Sequence, residues 1–228
     1  MIFQVDQASA GYDAQAVLEN VSFSVSEGEV VALVGDNACG KSTLFRGLFQ
    51  QGAWINANNL LWKGREVKSL RDGLTPREVS WVQQDRNSAR FTELNVKESI
   101  LAACLPNTTG PFAKLLYGLA VVGGEANDAL DQIVSALPVR LESLLEKRIA
   151  TLSGGEQALV SIAQGFVNRP NLVCMDEPVA MVDPETLPEI ASFIREYVRG
   201  YSAACVLTEH REEALQFVDK RYSLTQSS

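Results

Sequence analysis

Residues 35–43 read G-D-N-A-C-G-K-S-T and lie between an apolar run at 30–34 and a segment with helical spacing at 41–49. This order predicts a buried strand, a glycine loop and a helix. The glycines let the backbone turn tightly and present several N–H groups to phosphate oxygens at the positive end of the helix dipole. Lys41 can then reach the outer phosphates of a nucleotide, and the Ser42 hydroxyl is placed to bind the Mg²⁺ that bridges them. The loop therefore predicts a nucleotide phosphate site.

The N-terminal part of the chain is predicted to be mostly sheet. Residues 2–8 and 17–25 alternate apolar and polar side chains, which is typical of half-exposed strands. A continuous apolar run at 79–82 predicts another buried strand.

The pattern changes after these strands. From residue 96 to about 146 the spacing is helical and is broken at 106–111 and 123–124, which predicts an inserted helical subdomain. Buried strands at 172–175 and 204–208 then alternate with helices, as in a largely parallel sheet. The predicted fold class is therefore α/β, with an antiparallel β portion and an inserted α-helical subdomain.

Composition excludes several classes of protein. The 228 residues include 20 Lys and Arg against 28 Asp and Glu, and this net charge of -8 gives no global attraction for nucleic acid or for an anionic membrane surface. The 4 cysteines are scattered without metal-binding spacing, which favours a reducing compartment. We find no signal peptide and no apolar run long enough for direct membrane insertion. We expect a cytosolic protein that meets a membrane only through a partner.

Polar side chains that could act on a nucleotide follow three of the buried strands. Asp176 and Glu177 end one of them, and the carboxyl ends of parallel strands meet at the edge where the phosphate loop lies. Asp176 can hold Mg²⁺ through water, and Glu177 can act as a general base or position the attacking water. His210 is the single histidine of the chain and follows the buried strand at 204–208. A glutamine that could bind the metal or the attacking water follows the strand at 79–82, and it is either Gln83 or Gln84.

Residues 152–157 read L-S-G-G-E-Q and resemble the signature motif of ATP-binding cassette (ABC) proteins. Other features occur in the order of that family along nearly the whole sequence. They are Tyr12, the Walker A loop at 35–43, Gln84, the Walker B carboxylates Asp176 and Glu177, the D-loop residue Asp183, and His210. The chain is thus similar to the ATPase subunit of an ABC transporter, and the resemblance implies a P-loop NTPase (RecA-like) core.

The resemblance also implies a role for each matching residue, with ATP and Mg²⁺ as the ligands. Tyr12 supplies an aromatic face for the adenine, and His210 contacts the γ-phosphate and the attacking water. The implied catalytic residues are Lys41, Gln84, Glu177 and His210. The implied Mg²⁺ ligands are Ser42, Gln84 and Asp176. The implied nucleotide-binding residues are Tyr12, Gly35, Asp36, Asn37, Ala38, Cys39, Gly40, Lys41, Ser42, Thr43, Ser153, Gly154, Gly155, Glu156 and Asp183.

Two kinds of partner follow from the resemblance. In such proteins the signature of one subunit caps the γ-phosphate bound by another, so one cassette per chain implies a head-to-tail dimer, either of two copies or with a different cassette. Integral membrane permease subunits would hold the chain at the cytosolic face. We expect one ABC domain at 1–228, with a core at 1–85 and 156–228 and a helical subdomain at about 86–155. The alternative is a soluble ABC ATPase of the assembly type, such as one for iron–sulfur clusters.

The sequence departs from the family pattern at a few positions. Ala38 stands where the loop often has glycine, and V-A-M-V at 179–182 replaces the usual T-S-A-L before Asp183. Leu159 and Gln164 stand where arginines are frequent. None of these departures removes a catalytic group, and all of them bear on the contact between subunits.

Overall fold

The computed structural model describes residues 1–36, 38–83, 94–104, 124–137 and 141–224. Its strands, in chain order, are β1 (Phe3–Tyr12), β2 (Gln15–Val25), β3 (Val30–Val34), β4 (Trp54–Asn56), β5 (Asn59–Trp62), β6 (Arg65–Glu66), β7 (Val79–Val82), β8 (Leu172–Asp176), β9 (Ala204–Thr208) and β10 (Lys220–Ser223). Its α-helices are α1 (Lys41–Leu48), α2 (Val96–Ala103), α3 (Gly124–Ala136), α4 (Gly154–Phe166), α5 (Leu187–Gly200) and α6 (Glu212–Leu215). Short 3₁₀ helices cover Leu141–Leu144 and Ile149–Thr151.

One sheet is parallel and has the strand order β10-β3-β9-β8-β7. Alternate side chains along its central strands point to opposite faces, and both faces are covered. Val173 and Met175 of β8 pack with the helices on one side, whereas Leu172 and Cys174 pack with α1 and the second sheet on the other. Burial on both faces explains why the central strands are continuous apolar runs.

The second sheet is antiparallel and confirms the predicted antiparallel portion. Its order is β2-β1-β5-β6, with β4 also paired to β1. The first strand was predicted over residues 2–8, but β1 continues to Tyr12. The alternation is interrupted because the pairing of β1 with β2 shifts register beyond Val5, so the period-two pattern underestimates the strand length. Asp13, with φ of 47°, makes the turn between the two strands.

Two helices begin with reciprocal side-chain caps that the sequence encodes. The Asn95 side chain accepts from the N–H of Glu98, and the Glu98 carboxylate accepts from the N–H of Asn95. Ser153 and Glu156 make the same pair of bonds at the start of α4. Each arrangement satisfies two N–H groups that a helix end leaves unpaired, and so fixes where α2 and α4 begin.

The helix α4 joins the helical part to the parallel sheet. Phe166 near its end is fully buried and meets the rings of Phe193 and Tyr197 edge to face, with centroids 5.1 Å and 4.7 Å away. Its C-terminal half contacts α2, since Gln164 donates from Nε2 to the hydroxyl and the carbonyl oxygen of Ser99. Among the described residues, no helix is both long and apolar enough to cross a bilayer.

Replacing Gly165 by alanine is expected to lower the free energy of unfolding by about 1–3 kcal/mol, the usual cost of overpacking a core. A Cβ at this position would lie 2.4 Å from Cγ2 of Val82, so α4 could no longer sit as closely on β7. Gly200 provides the matched control, because a Cβ there meets nothing within 4 Å and the residue lies at the exposed end of α5. We expect Gly200→Ala to stabilise by about 0.5–1 kcal/mol. Urea denaturation measures both, and equal effects of the two changes would contradict the packing argument.

Candidate active site

The glycine loop joins the end of β3 to the start of α1, as the sequence predicted. Gly40 has φ of 102°, and a Cβ on it would lie 2.8 Å from Cγ of Leu18. Only glycine fits this position, both for its backbone conformation and for its close approach to β2. Ala38 also has a positive φ, 67°, which costs an L-residue about 1–2 kcal/mol. This left-handed backbone conformation favours glycine, which explains why glycine is common at this position. Here alanine adopts it at an energetic cost.

Lys41 is held inside the loop that it follows. Its Nζ donates to the carbonyl oxygens of Gly35 at 2.7 Å and of Asp36 at 3.0 Å, and the residue is only 5% exposed. These bonds aim the ammonium across the mouth of the loop. The positive charge therefore lies where phosphate oxygens would approach the N-terminus of α1.

The carboxylates at the end of β8 are fixed by Thr208 of the neighbouring strand. Asp176 and Thr208 are paired in the parallel register, and the Thr208 hydroxyl donates to Oδ1 of Asp176 at 2.7 Å. The N–H of Glu177 donates back to the same hydroxyl at 3.1 Å and to the Thr208 carbonyl at 3.2 Å. Glu177 has φ of 45°, a conformation that non-glycine residues rarely adopt. Thr208 thus holds the strained backbone of Glu177, a residue that lines the cleft described below.

His210 lies between two carboxylates. Its Nδ1 is 3.6 Å from Oε1 of Glu177 and 3.7 Å from Oε1 of Glu209. Glu209 is fully buried, and its Oε1 accepts from the N–H groups of His210 at 2.8 Å and Arg211 at 2.9 Å. The backbone of the turn that carries the histidine is therefore fixed, while its imidazole remains 42% exposed toward the cleft.

These elements enclose one cleft of about 420 Å³. It is lined by Ala38, Gly40, Lys41, Ser42, Thr43, Glu177 and His210. The volume is within the usual range of about 300–1,000 Å³ for small-molecule sites. The fold thus brings together residues that lie far apart in the sequence, and it pairs a cationic loop with a carboxylate and an imidazole.

Other predicted residues lie outside the lining of this cleft. The Tyr12 hydroxyl accepts from Thr43 at 3.5 Å and from Arg46 at 3.3 Å, so its ring stands beside α1. The Asp183 carboxylate accepts from the Thr186 hydroxyl. Asn37 and Gln84 are outside the described residues. Gln83, the alternative to Gln84, donates from Nε2 to Oε1 of Gln51 at 3.2 Å.

The signature forms a second polar helix end, separate from the cleft lining. The Ser153 hydroxyl accepts from the N–H of Glu156 at 3.2 Å and retains a proton to donate. The Ser153 N–H, with the Lys147 ammonium, lowers the pKa of Glu156. Gly154 and Gly155 lie against Met181, since added Cβ atoms would come within 3.4 Å of its Cβ and 3.2 Å of its carbonyl oxygen.

The residues present fit a magnesium ion bound together with phosphates. Ser42 lines the cleft, and the Asp176 carboxylate lies at the same sheet edge with 3% exposure. A hydroxyl and a carboxylate are the oxygen donors that Mg²⁺ takes, usually with water and phosphate completing its shell. Within the described ranges, no three His, Cys, Asp or Glu residues cluster as a metal site that protein ligands alone could complete.

Sequence reasoning missed Thr208, Glu209 and Arg211, which are not among the residues that line the cleft but hold the elements beside it. Each makes hydrogen bonds that fix another part of the backbone or a side chain. Thr208 bonds Asp176 at the end of β8, and Glu209 bonds the backbone of its own turn. Arg211 bonds the carbonyl oxygens of Val179 and Val182. One signal could have found the first two. Thr208 and Glu209 directly follow an apolar run, as Asp176 does in the neighbouring strand. Polar residues at the end of such a run are unusual in a buried position.

Comparisons with known proteins agree with this architecture. A family model described as ABC transporter matches residues 18–180. The phosphonates import ATP-binding protein PhnC of Frankia casuarinae is 33% identical over 210 residues, which cover 89% of this chain and 78% of that protein. The spermidine/putrescine import ATP-binding protein PotA of Spiroplasma citri is 29% identical over 223 residues, which cover 96% of this chain. This chain spans 57% of the length of that PotA protein.

The fold is also that of solved cassettes. A crystal structure of a nucleotide-free ATP-binding cassette from an ABC transporter superposes with a TM-score of 0.80 at 22% identity, covering 98% of this chain and 87% of the other. At that identity the likeness supports the fold alone. The family model, however, spans most of the sequence, from β2 to beyond β8. The chain therefore belongs to the ABC transporter family, as an ATP-binding cassette.

Proposed function

We propose that the chain hydrolyses ATP in the presence of Mg²⁺ and acts as the ATP-binding subunit of an import system. The observation that carries the proposal is the cleft in which Lys41 and the helix N-terminus face Glu177 and His210. A cationic loop binds a polyphosphate, and a carboxylate beside an imidazole can handle the proton of an attacking water. The named relatives are ATP-binding proteins of importers, so the assembly-type alternative is not favoured.

In this proposal Glu177 orients the attacking water and accepts its proton. The water oxygen bonds to the γ-phosphorus in line with the ADP oxygen, and the bond between the ADP oxygen and the γ-phosphorus breaks. The Glu177 carboxylate is suited to the task because it is 15% exposed and 3.6 Å from Nδ1 of His210. That contact favours the tautomer with a proton on Nδ1, which leaves Nε2 to contact the nucleotide. Lys41 neutralises charge on the outer phosphates, and Gln84 serves as the glutamine that senses the metal and the water.

The nucleotide is held mainly by the loop, with N–H groups of residues 35–43 on the phosphates and Tyr12 against the adenine. Ser42, Asp176 and Gln84 would hold Mg²⁺. When bound, the ion would neutralise the charge of the β- and γ-phosphates. Thr208 keeps Asp176 available by bonding only Oδ1 of its carboxylate.

A second copy of a cassette completes the site in this proposal. The Ser153 hydroxyl, the N–H groups at the start of α4 and Asp183 would meet the nucleotide held by the other cassette. Their positions support this, because none of them lines the cleft of their own chain. The N-terminal end of a helix carries partial positive charge and is a suitable surface for a partner's γ-phosphate. The partner is a second copy of this chain or a related cassette.

The import partners would be integral membrane permease subunits, which would hold the chain on the cytosolic face of the membrane. We divide the single domain into a core at 1–85 and 156–228 and a helical subdomain at about 86–155. The helix α4 starts at Gly154 and touches both α2 and β7, so it lies at the junction of these two parts. Closure of the dimer on ATP and opening after hydrolysis would drive transport.

Thr208→Val should lower phosphate release from ATP by about tenfold or more, because two hydrogen bonds of the hydroxyl are lost, each worth about 0.5–1.5 kcal/mol. The change removes the bonds of the hydroxyl to Asp176 and Glu177 while keeping the branched shape. Thr75→Val is the matched control, since its hydroxyl also bonds a carboxylate, that of Glu78, at 3.0 Å but in an exposed turn. It should leave the rate within about twofold. A parent chain that released no phosphate at any Mg²⁺ concentration would refute the proposed activity.

A further inference from the structure

Arg211 joins two loops that are distant in the sequence. Its guanidinium Nη1 donates to the carbonyl oxygens of Val179 at 2.8 Å and of Val182 at 2.9 Å. The N–H of Val182 donates to the same Val179 carbonyl at 3.0 Å, so these residues form one hydrogen-bonded turn. Bonds from an ionised donor to carbonyls are stronger than neutral ones. The side chain therefore fixes the conformation of the loop that leads to Asp183.

The backbone of Arg211 is fixed as firmly as its side chain. Oε1 of Glu209 accepts from the N–H groups of both His210 and Arg211, and Glu209 has no exposed surface. Oε2 of this carboxylate has no hydrogen-bond partner among the described residues. A buried carboxylate is costly, so the two backbone bonds and the adjacent His210 must compensate for its burial. The histidine and the arginine consequently belong to one rigid turn.

The loop that Arg211 holds reaches the signature of its own chain. Met181, between the two bonded valines, is 68% exposed and packs on Gly154 and Gly155 at the start of α4. A continuous series of direct contacts thus runs from His210 through Arg211 and Met181 to the signature. One end faces the chain's own nucleotide cleft, and the other end is the surface proposed above to meet the partner's nucleotide.

We propose that Arg211 is a positioning residue that couples the two half-sites of one chain, so that nucleotide bound near His210 sets the position of the loop at 178–183 and of the signature. This inference rests on the proposed function for its nucleotide, whereas the tether itself is independent of it. Rigid turns joined by two charge-assisted bonds move together, which is the requirement for such coupling.

Hydrogen exchange of the peptide over residues 178–186 tests the tether and the coupling on the full chain. Without nucleotide, Arg211→Met should raise the exchange rate of this peptide by about tenfold, because the loop loses two of its anchoring bonds. With ATPγS and Mg²⁺, the parent chain should show added protection in this peptide and in the peptide that contains Gly154 and Gly155. The Arg211→Met chain should bind ATPγS with an affinity within about twofold of the parent and show no added protection.

Arg221→Met is the matched control, since this guanidinium also bonds a backbone carbonyl, that of Leu215 at 2.9 Å, and the Glu212 carboxylate at 3.1 Å. It should leave exchange at 178–186 unchanged. Arg211→Lys keeps the charge without the paired donors and should give an intermediate rate, which provides a second variant if the methionine chain folds poorly.

Parent-like exchange in the Arg211→Met chain, or an equal rise in the Arg221→Met chain, would overturn the tether. Equal nucleotide-induced protection in the parent and the Arg211→Met chains would overturn the coupling. A parent chain that bound no ATPγS would refute the proposed function and the coupling with it, while the nucleotide-free comparison would still decide the tether.

Discussion

Glu177→Gln is expected to lower the rate of ATP hydrolysis by about 100-fold or more, in the range that a positioned general base contributes. The amide has nearly the shape of the carboxylate but cannot accept a proton from water. It also loses the charge that faces Nδ1 of His210 at 3.6 Å. Because Glu177 does not make the loop's contacts to phosphate, the affinity for ATP should stay within about threefold of the parent. Steady-state phosphate release and nucleotide titration measure the two quantities separately.

Glu66→Gln is a suitable control for this change, since Glu66 is an exposed residue of the short strand β6. Its rate should equal that of the parent chain. If Glu177→Gln hydrolysed ATP at the parent rate, the assignment of the base would be wrong. A matching loss of ATP affinity would instead indicate that Glu177 contributes to binding.

Lys41→Met should produce the opposite pattern, with ATP affinity reduced by about 10- to 100-fold, the effect expected for the loss of charge-assisted hydrogen bonds to the phosphates. The change also deprives the carbonyls of Gly35 and Asp36 of their donor. Titration with a fluorescent ATP analogue measures the affinity, and thermal unfolding shows whether the loop survives.

The control for Lys41 is Lys63→Met, which removes an exposed ammonium that is bonded to Oδ1 of Asn171 at 2.9 Å and is not part of the cleft lining. Its ATP affinity should not change. Undiminished affinity in a folded Lys41→Met chain would mean that the phosphates bind elsewhere.

Much of the fold follows from local patterns. The loop at 35–43 predicted both β3 and α1, because glycine spacing and the change of hydrophobic period occur within a few residues. The buried strands β8 and β9 were evident as apolar runs. The end of β1 was not, because its bulged pairing with β2 breaks the alternation on which strand prediction depends.

The support of the site could not be predicted from the same patterns. Asp176 and Thr208 are 32 residues apart and meet only because β8 and β9 pair in one particular register. The bonds from Arg211 to the carbonyl oxygens of Val179 and Val182 could not be predicted either. Every residue has a backbone carbonyl, so the residue type does not indicate which carbonyl accepts a hydrogen bond. Sequence motifs thus indicate the groups that we propose to meet the nucleotide, whereas the groups that hold them depend on tertiary contacts.

The structure shows what the side chains that depart from the family pattern contact. Gln164 donates from Nε2 to the Ser99 hydroxyl and carbonyl, so it joins α4 to α2 where an arginine is frequent. Leu159 is buried in the core between helices. These side chains serve the packing of this chain. Met181, in contrast, remains exposed beside the signature and is available to a partner.

Two cassettes are proposed to close around ATP, and light scattering after size exclusion on the Glu177→Gln chain is the test of that closure. With ATP and Mg²⁺ we expect a shift from one chain to two, because the Glu177→Gln chain hydrolyses the bound nucleotide only slowly and the signature of each chain would meet the phosphates of the other. Without nucleotide the mass should be that of a single chain. A mass of one chain in the presence of bound ATP and Mg²⁺ would contradict closure between two copies of this chain.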